Sequence, residues 1–164
     1  MSELNMVKSL VKTTREWRER VLNLVLECDG LDLSYKPSTG MSSAGWLLAH
    51  QAAVYDFSLN ILIRNSPPAN PTLFQLYIPG TAGEWMDTPL DVIAEYYSSG
   101  ESDFLDWFEK ISVQELDSVI DREGVPKFFQ GMTLWDVIGN LFCHINRHTG
   151  QLESLRRDWL SNTT

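Results

Sequence analysis

Residues 133–160 read TLWDVIGNLFCHINRHTGQLESLRRDWL. Leu134, Ile138, Leu141, Ile145, His148, Leu152, Leu155 and Trp159 alternate at spacings of four and three. That alternation is the seam of a helix packed in a bundle. Seven of these eight positions are apolar and the other is a histidine. Thr133 with Asp136 forms a variant of the capping box, and Met132 and Val137 suit a hydrophobic staple, so the helix starts here. A titratable ring in an apolar seam needs a partner, because burying an unpaired polar group costs free energy.

Working outward, three more segments carry the same period. Leu10, Thr14, Trp17, Val21, Leu24 and Cys28 predict a first helix from about Ser2 to Cys28, stopped by Asp29-Gly30. Leu47, His50, Val54, Phe57 and Ile61 predict a second, capped by Ser42 or Ser43 and ended by Asn65-Ser66-Pro67-Pro68. Leu90, Ile93, Tyr97, Gly100, Phe104, Trp107 and Ile111 predict a third, with Thr88 as cap and Pro89 in the first turn. Gly100 leaves space in that seam, for close helix packing or for a ligand. Residues 66–87 are rich in Pro and Gly and long enough to run the length of a bundle, which would make helices two and three parallel neighbours. Residues 112–132 read as a short helical turn followed by an irregular hairpin. Strand-like alternation is rare. The expectation is an all-α chain, a four-helix bundle with a long crossover between helices 2 and 3, in a single domain over residues 1–164.

Composition narrows the function. The chain of 164 residues has a formal charge of -9 and a pI near 4.7, a surface that repels phosphate backbones, so no nucleic-acid partner is expected. Cys28 and Cys143 stand far apart with no CxxC pair, which favours a reducing compartment. The N-terminal residues lack the apolar core of a signal peptide, and no apolar run is long enough to span a bilayer. These features predict a cytoplasmic protein with no membrane partner.

The chain has only three histidines, His50, His144 and His148. His144 and His148 lie one helical turn apart, with Cβ atoms about 5–6 Å from each other, so both rings can reach one ion. His50 lies in the seam of another helix and can supply a third nitrogen. Three imidazoles without a fourth protein ligand leave positions open for water or substrate, as in catalytic metal sites. Imidazole suits several metals, among them Zn and Ni. Cys143 points about 100° away from His144 on a helix of 3.6 residues per turn and falls outside the ligand set. Gln151 lies near the face of His148 and can hold a bound water or orient a ligand ring. Asn140 has a similar place one turn before His144. Trp46, one turn before His50, can wall a pocket or simply fill the core. No Asp or Glu stands three or four residues from any histidine, so the HExxH motif is absent and no general base is evident. A carboxylate such as Glu84 from the long linker is one substitute. No Ser-His-Asp or Cys-His pattern, phosphate loop or GxGxxG is present, and the catalytic residues remain unassigned.

The segments GWLLAHQAAVYDF and HINRHTGQLESLR resemble the DinB/YfiT-like family of metal-dependent bundle proteins. The resemblance spans nearly the whole chain. It implies a four-helix bundle in up-down-down-up order and a divalent metal, Ni or Zn foremost, with Fe or Mn as alternatives. It implies His50, His144 and His148 as the ligands, and a homodimer. Some relatives are transferases or isomerases that use a low-molecular-weight thiol such as bacillithiol, mycothiol or glutathione. The expected activity is therefore transfer of such a thiol to a small-molecule electrophile. The alternatives are a metal-dependent hydrolase and a non-catalytic metal- or ligand-binding bundle of a stress response.

Overall fold

A computed structural model describes residues 3–28, 30–38 and 40–163. The fold is all-α. Helix α1 spans Glu3–Leu26, α2 Ala44–Asp56, α3 Pro71–Tyr77, α4 Leu90–Lys110, α5 Val113–Leu116 and α6 Leu134–Thr163. The helix α2 runs on without a break into a π-helical segment, Phe57–Ile63. Ser2 and Asp29, at the expected ends of the first helix, lie outside the described residues. No described helix is long and apolar enough to cross a membrane.

Every residue of α2 is buried. A helix that is apolar all round belongs at the centre of its neighbours, and α2 packs against both α4 and α6. Ser43 caps it, its hydroxyl accepting from Trp46 N at 3.3 Å. Along α2 and α6 the contacts run in opposite order: Trp46 meets His148, and His50 meets His144. Along α1 and α4 they also run in opposite order, Lys8 bonding Glu109 and Arg18 bonding Glu101. Gly100 lies where α4 crosses α2. A Cβ there would stand 3.3 Å from Tyr55 Cβ. Of its two readings, close helix packing is the one this approach supports.

The buried face of α1 differs from the predicted seam. Of the predicted seam Val21 is buried, but Leu10, Trp17 and Leu24 are 64, 40 and 39% exposed, and Val11, Arg18, Leu22 and Val25 are buried instead. The reason is Arg18, which is fully enclosed. Its guanidinium donates to Glu101 at 2.8 Å, to Tyr55 Oη at 3.0 Å and to Asn146 Oδ1 at 3.3 Å. A buried charge is tolerated when it is paired and hydrogen-bonded, and this pairing turns α1 by one residue.

The crossover contains the short helix α3, begun by Asn70, whose side chain accepts from Leu73 N at 3.1 Å, with Pro71 in the first turn. Buried Asp56 anchors the start of the crossover. It accepts from Ala69 N, Asn70 N, Asn60 Nδ2 and Tyr96 Oη. Thr88 does not cap α4; it bonds Tyr77 Oη at 2.6 Å instead. Residues 112–132 behave as expected: α5 starts in a Ser112–Glu115 capping box, and a single antiparallel bridge joins Val119 to Thr133. Thr133 and Asp136 cap α6 reciprocally, at 2.9 and 3.2 Å. The apolar seam of α6 is buried from Ile138 to Leu155.

Candidate metal centre

The i, i+4 spacing on α6 places His144 and His148 side by side, and the antiparallel packing of α2 brings His50 opposite them. His50 Nε2 lies 2.8 Å from His144 Nε2, and His148 Nε2 lies 3.1 Å from the same atom. One nitrogen from each ring falls within 4.8 Å of the others, an arrangement that could hold a metal ion.

Partners on the far side of two rings set this orientation. His50 Nδ1–H donates to the Tyr77 carbonyl at 2.6 Å. His148 Nδ1–H donates to Gln151 Oε1 at 2.6 Å. Both acceptors fix the tautomer with its Nε2 lone pair turned inward. Two lone pairs therefore face His144 Nε2, which carries at most one proton. The three nitrogens cannot all satisfy one another, whereas a cation between them accepts all three pairs. The donor set thus fits a divalent ion of the kind imidazoles bind, such as Zn or Ni.

Electrostatics keep the rings ready for an ion. Burial lowers the pKa of His50 to about 3, the Tyr77 carbonyl opposing and the other two rings adding to the shift. Burial, then His148 and Arg147, lower that of His144 to about 4. His148 is lowered by burial as well, against the pull of Gln151. All three are neutral at pH 7, the form that coordinates.

Trp46 stacks on His50 with centroids 4.2 Å apart and planes at 10°, and its Nε1–H donates to Thr81 Oγ1 at 2.9 Å. It both fills the core and walls the site. Gln151 orients a ring. Asn140 is tied to Asp136 O at 2.8 Å and lines an adjoining cavity. Glu84 is exposed and ion-paired with Lys36, so it does not serve as a borrowed base. Cys143 is exposed and borders the same cavity as Asn140. Sequence reasoning missed the carbonyl of Tyr77, which no side-chain pattern announces. The helix that presents it was legible in Asn70-Pro71, a cap followed by Pro.

One cavity borders the cluster at His144, and a second lies beside Gln151. The first, of about 540 Å³, is lined by His144 together with Val54, Phe57, Ile78, Phe129, Val137 and Leu141. The other, of about 620 Å³, is lined by Gln151, Met41, Ser154 and Asp158. Arg147 lines both. Part of the first wall comes from the crossover, through Ile78 and Pro79, and part from the hairpin segment, through Pro126, Phe128 and Phe129.

Comparison with known proteins agrees with this architecture. No curated protein matches the chain. A solved structure described as the conserved protein of locus from Enterococcus faecalis matches with a TM-score of 0.65 over 96% of each chain at 20% identity, a likeness of fold. The family model of the DinB superfamily matches residues 13–152, which include all three histidines, and the chain belongs to the DinB superfamily.

Proposed function

We propose that this protein is a metal-dependent enzyme that transfers a low-molecular-weight thiol to a small electrophilic substrate. The observation that carries the reading is the convergence of three Nε2 atoms with no fourth Cys, Asp or Glu among the described residues of the cluster. A divalent ion held by His50, His144 and His148 would supply Lewis acidity at open coordination positions, the property that lowers the pKa of a bound thiol. Tyr77 and Gln151 hold two of the ligand rings in the coordinating tautomer. Trp46 keeps water from one face of His50. Hydrolysis is less well supported, because no carboxylate lines the cavity beside His144, and general-base help for water has no source there.

The homodimer belongs to the same reading. Leu10, Trp17 and Leu24 form an exposed stripe seven residues apart along α1, a face suited to a second copy. The two free cysteines suit a cytoplasmic setting.

The test is direct. Metal-loaded protein is incubated with monochlorobimane and, in turn, glutathione, cysteine and bacillithiol. Conjugation above the metal-free protein and above His148→Ala, with at least one thiol, is expected. Equal rates in all three preparations, with every thiol, would refute the transferase reading.

A further inference from the structure

The cavity beside His144 has a chemical character that the histidines do not explain. Its wall is apolar on almost every side, with Phe57 and Phe129 at 5.7 Å between ring centroids and exposed Phe128 at 4.9 Å from Phe129. Its volume of about 540 Å³ lies in the range of small-molecule sites, roughly 300–1,000 Å³. In a chain of charge -9, no Asp or Glu lines it. The one formal charge in the wall is Arg147. Arg147 is exposed, and its guanidinium donates no hydrogen bond to, and forms no ion pair with, the described residues. It shares the cavity wall with His144.

We propose that this cavity takes an amphipathic acid, an aryl or alkyl carboxylate, whose apolar body lies among Phe57, Phe129 and Val137 and whose anionic end lies between Arg147 and His144. An unpaired guanidinium at the edge of an apolar chamber is a receptor for a planar anion, which it can grip through two parallel N–H bonds. An ion on the three histidines would add positive potential at the same end. The inference names the recognition group of the substrate proposed above, whose electrophilic carbon would lie in the apolar body and not in the carboxylate, and its catalytic meaning rests on that reading. Binding of the acid to the cavity does not.

Calorimetric titration with n-alkyl carboxylates of four to ten carbons, and with the matching alcohols, tests it on metal-free and on metal-loaded protein. Each added methylene should tighten binding about four-fold, the equivalent of ~0.8 kcal/mol, until the cavity is filled. Arg147→Gln should weaken the acids about ten-fold and leave the alcohols unchanged, since bonds to charged groups are the stronger kind. Phe128→Asp, at an exposed position, should also weaken the acids while the fold survives. Affinity independent of chain length, alcohols that match the acids, or an Arg147→Gln variant with wild-type affinity would overturn the proposal. Loss of thiol transfer in a protein that still binds the series would refute only the transferase reading. Active transfer without chain-length dependence would refute only this one.

Discussion

Gln151 offers the sharpest test of the metal centre, because it touches a ligand ring and not the ion. Its Oε1 accepts from His148 Nδ1 at 2.6 Å. Gln151→Leu removes that acceptor, frees the ring to rotate or change tautomer, and leaves all three histidines present. Partners of this kind are worth about 10–100-fold in metal affinity. With Zn²⁺ at about one hundred times the wild-type Kd, binding stabilises the native protein by ~2.7 kcal/mol. For a domain of this size that raises Tm by roughly 5–11 °C. The variant, with Kd weakened 10–100-fold, keeps only ~0.4–1.4 kcal/mol, a rise of roughly 1–6 °C. Thermal denaturation of chelator-stripped protein, with and without Zn²⁺ or Ni²⁺, reads the difference. Metal-free Tm should be nearly unchanged, and His148→Leu should fold yet show no metal-induced rise. A Gln151→Leu protein with the full wild-type rise would refute the claim that this amide holds a ligand.

Further outcomes follow from other contacts. Glu101→Ala leaves Arg18 charged and enclosed without its carboxylate, so urea denaturation should show a loss of about 3–5 kcal/mol. The double change Arg18→Met with Glu101→Leu should lose less than the single one. Gly100→Val, with its Cβ 3.3 Å from Tyr55 Cβ, should cost about 1–3 kcal/mol in the same assay and leave Zn²⁺ affinity unaltered. His50 and His144, held by burial to about 3 and about 4, stand below the ~6.5 of an unfolded chain. Between those values the unfolded chain binds more protons, so metal-free stability should fall as pH drops from about 6.5 to about 4. His50→Leu should flatten that fall, as followed by denaturation midpoints across pH.

How much of this was legible depended on what each helix meets. The seam of α6 was read correctly because α6 is buried along one stripe and polar elsewhere, the condition under which periodicity carries information. Along α2 every position is buried, so the spacing of His50 says little about its direction. The facing pair on α6 and the family resemblance identified it instead. On α1 the period was right and the phase wrong. A seam search treats arginine as surface, and Arg18 is core only because Glu101 and Tyr55 arrive from two other helices. Local rules make Thr88 a cap, yet its hydroxyl is taken by Tyr77, a partner that only the packing of α3 supplies.

The site itself divides along the same line, between what one helix can build and what packing must supply. His144, His148 and Gln151 share a face of α6, at spacings of four and three, and keep that relation wherever the helix goes. His50 is different. It reaches the cluster only if α2 and α6 hold one register, and a slip of one turn would carry it about 5.4 Å away. Two contacts across the α2–α6 interface oppose that slip: Thr149 Oγ1 donates to buried Gln51 Oε1 at 3.0 Å, and Trp46 meets the His148 ring edge-on with centroids 6.4 Å apart. Gln51 and Trp46 do not touch the proposed ion, yet they decide whether a third ligand is present. Metal affinity is therefore a measure of helix register as much as of ligand chemistry. Gln51→Leu should lower it more than it lowers the helical content of the chain, because the bundle survives a small shift that the triad does not.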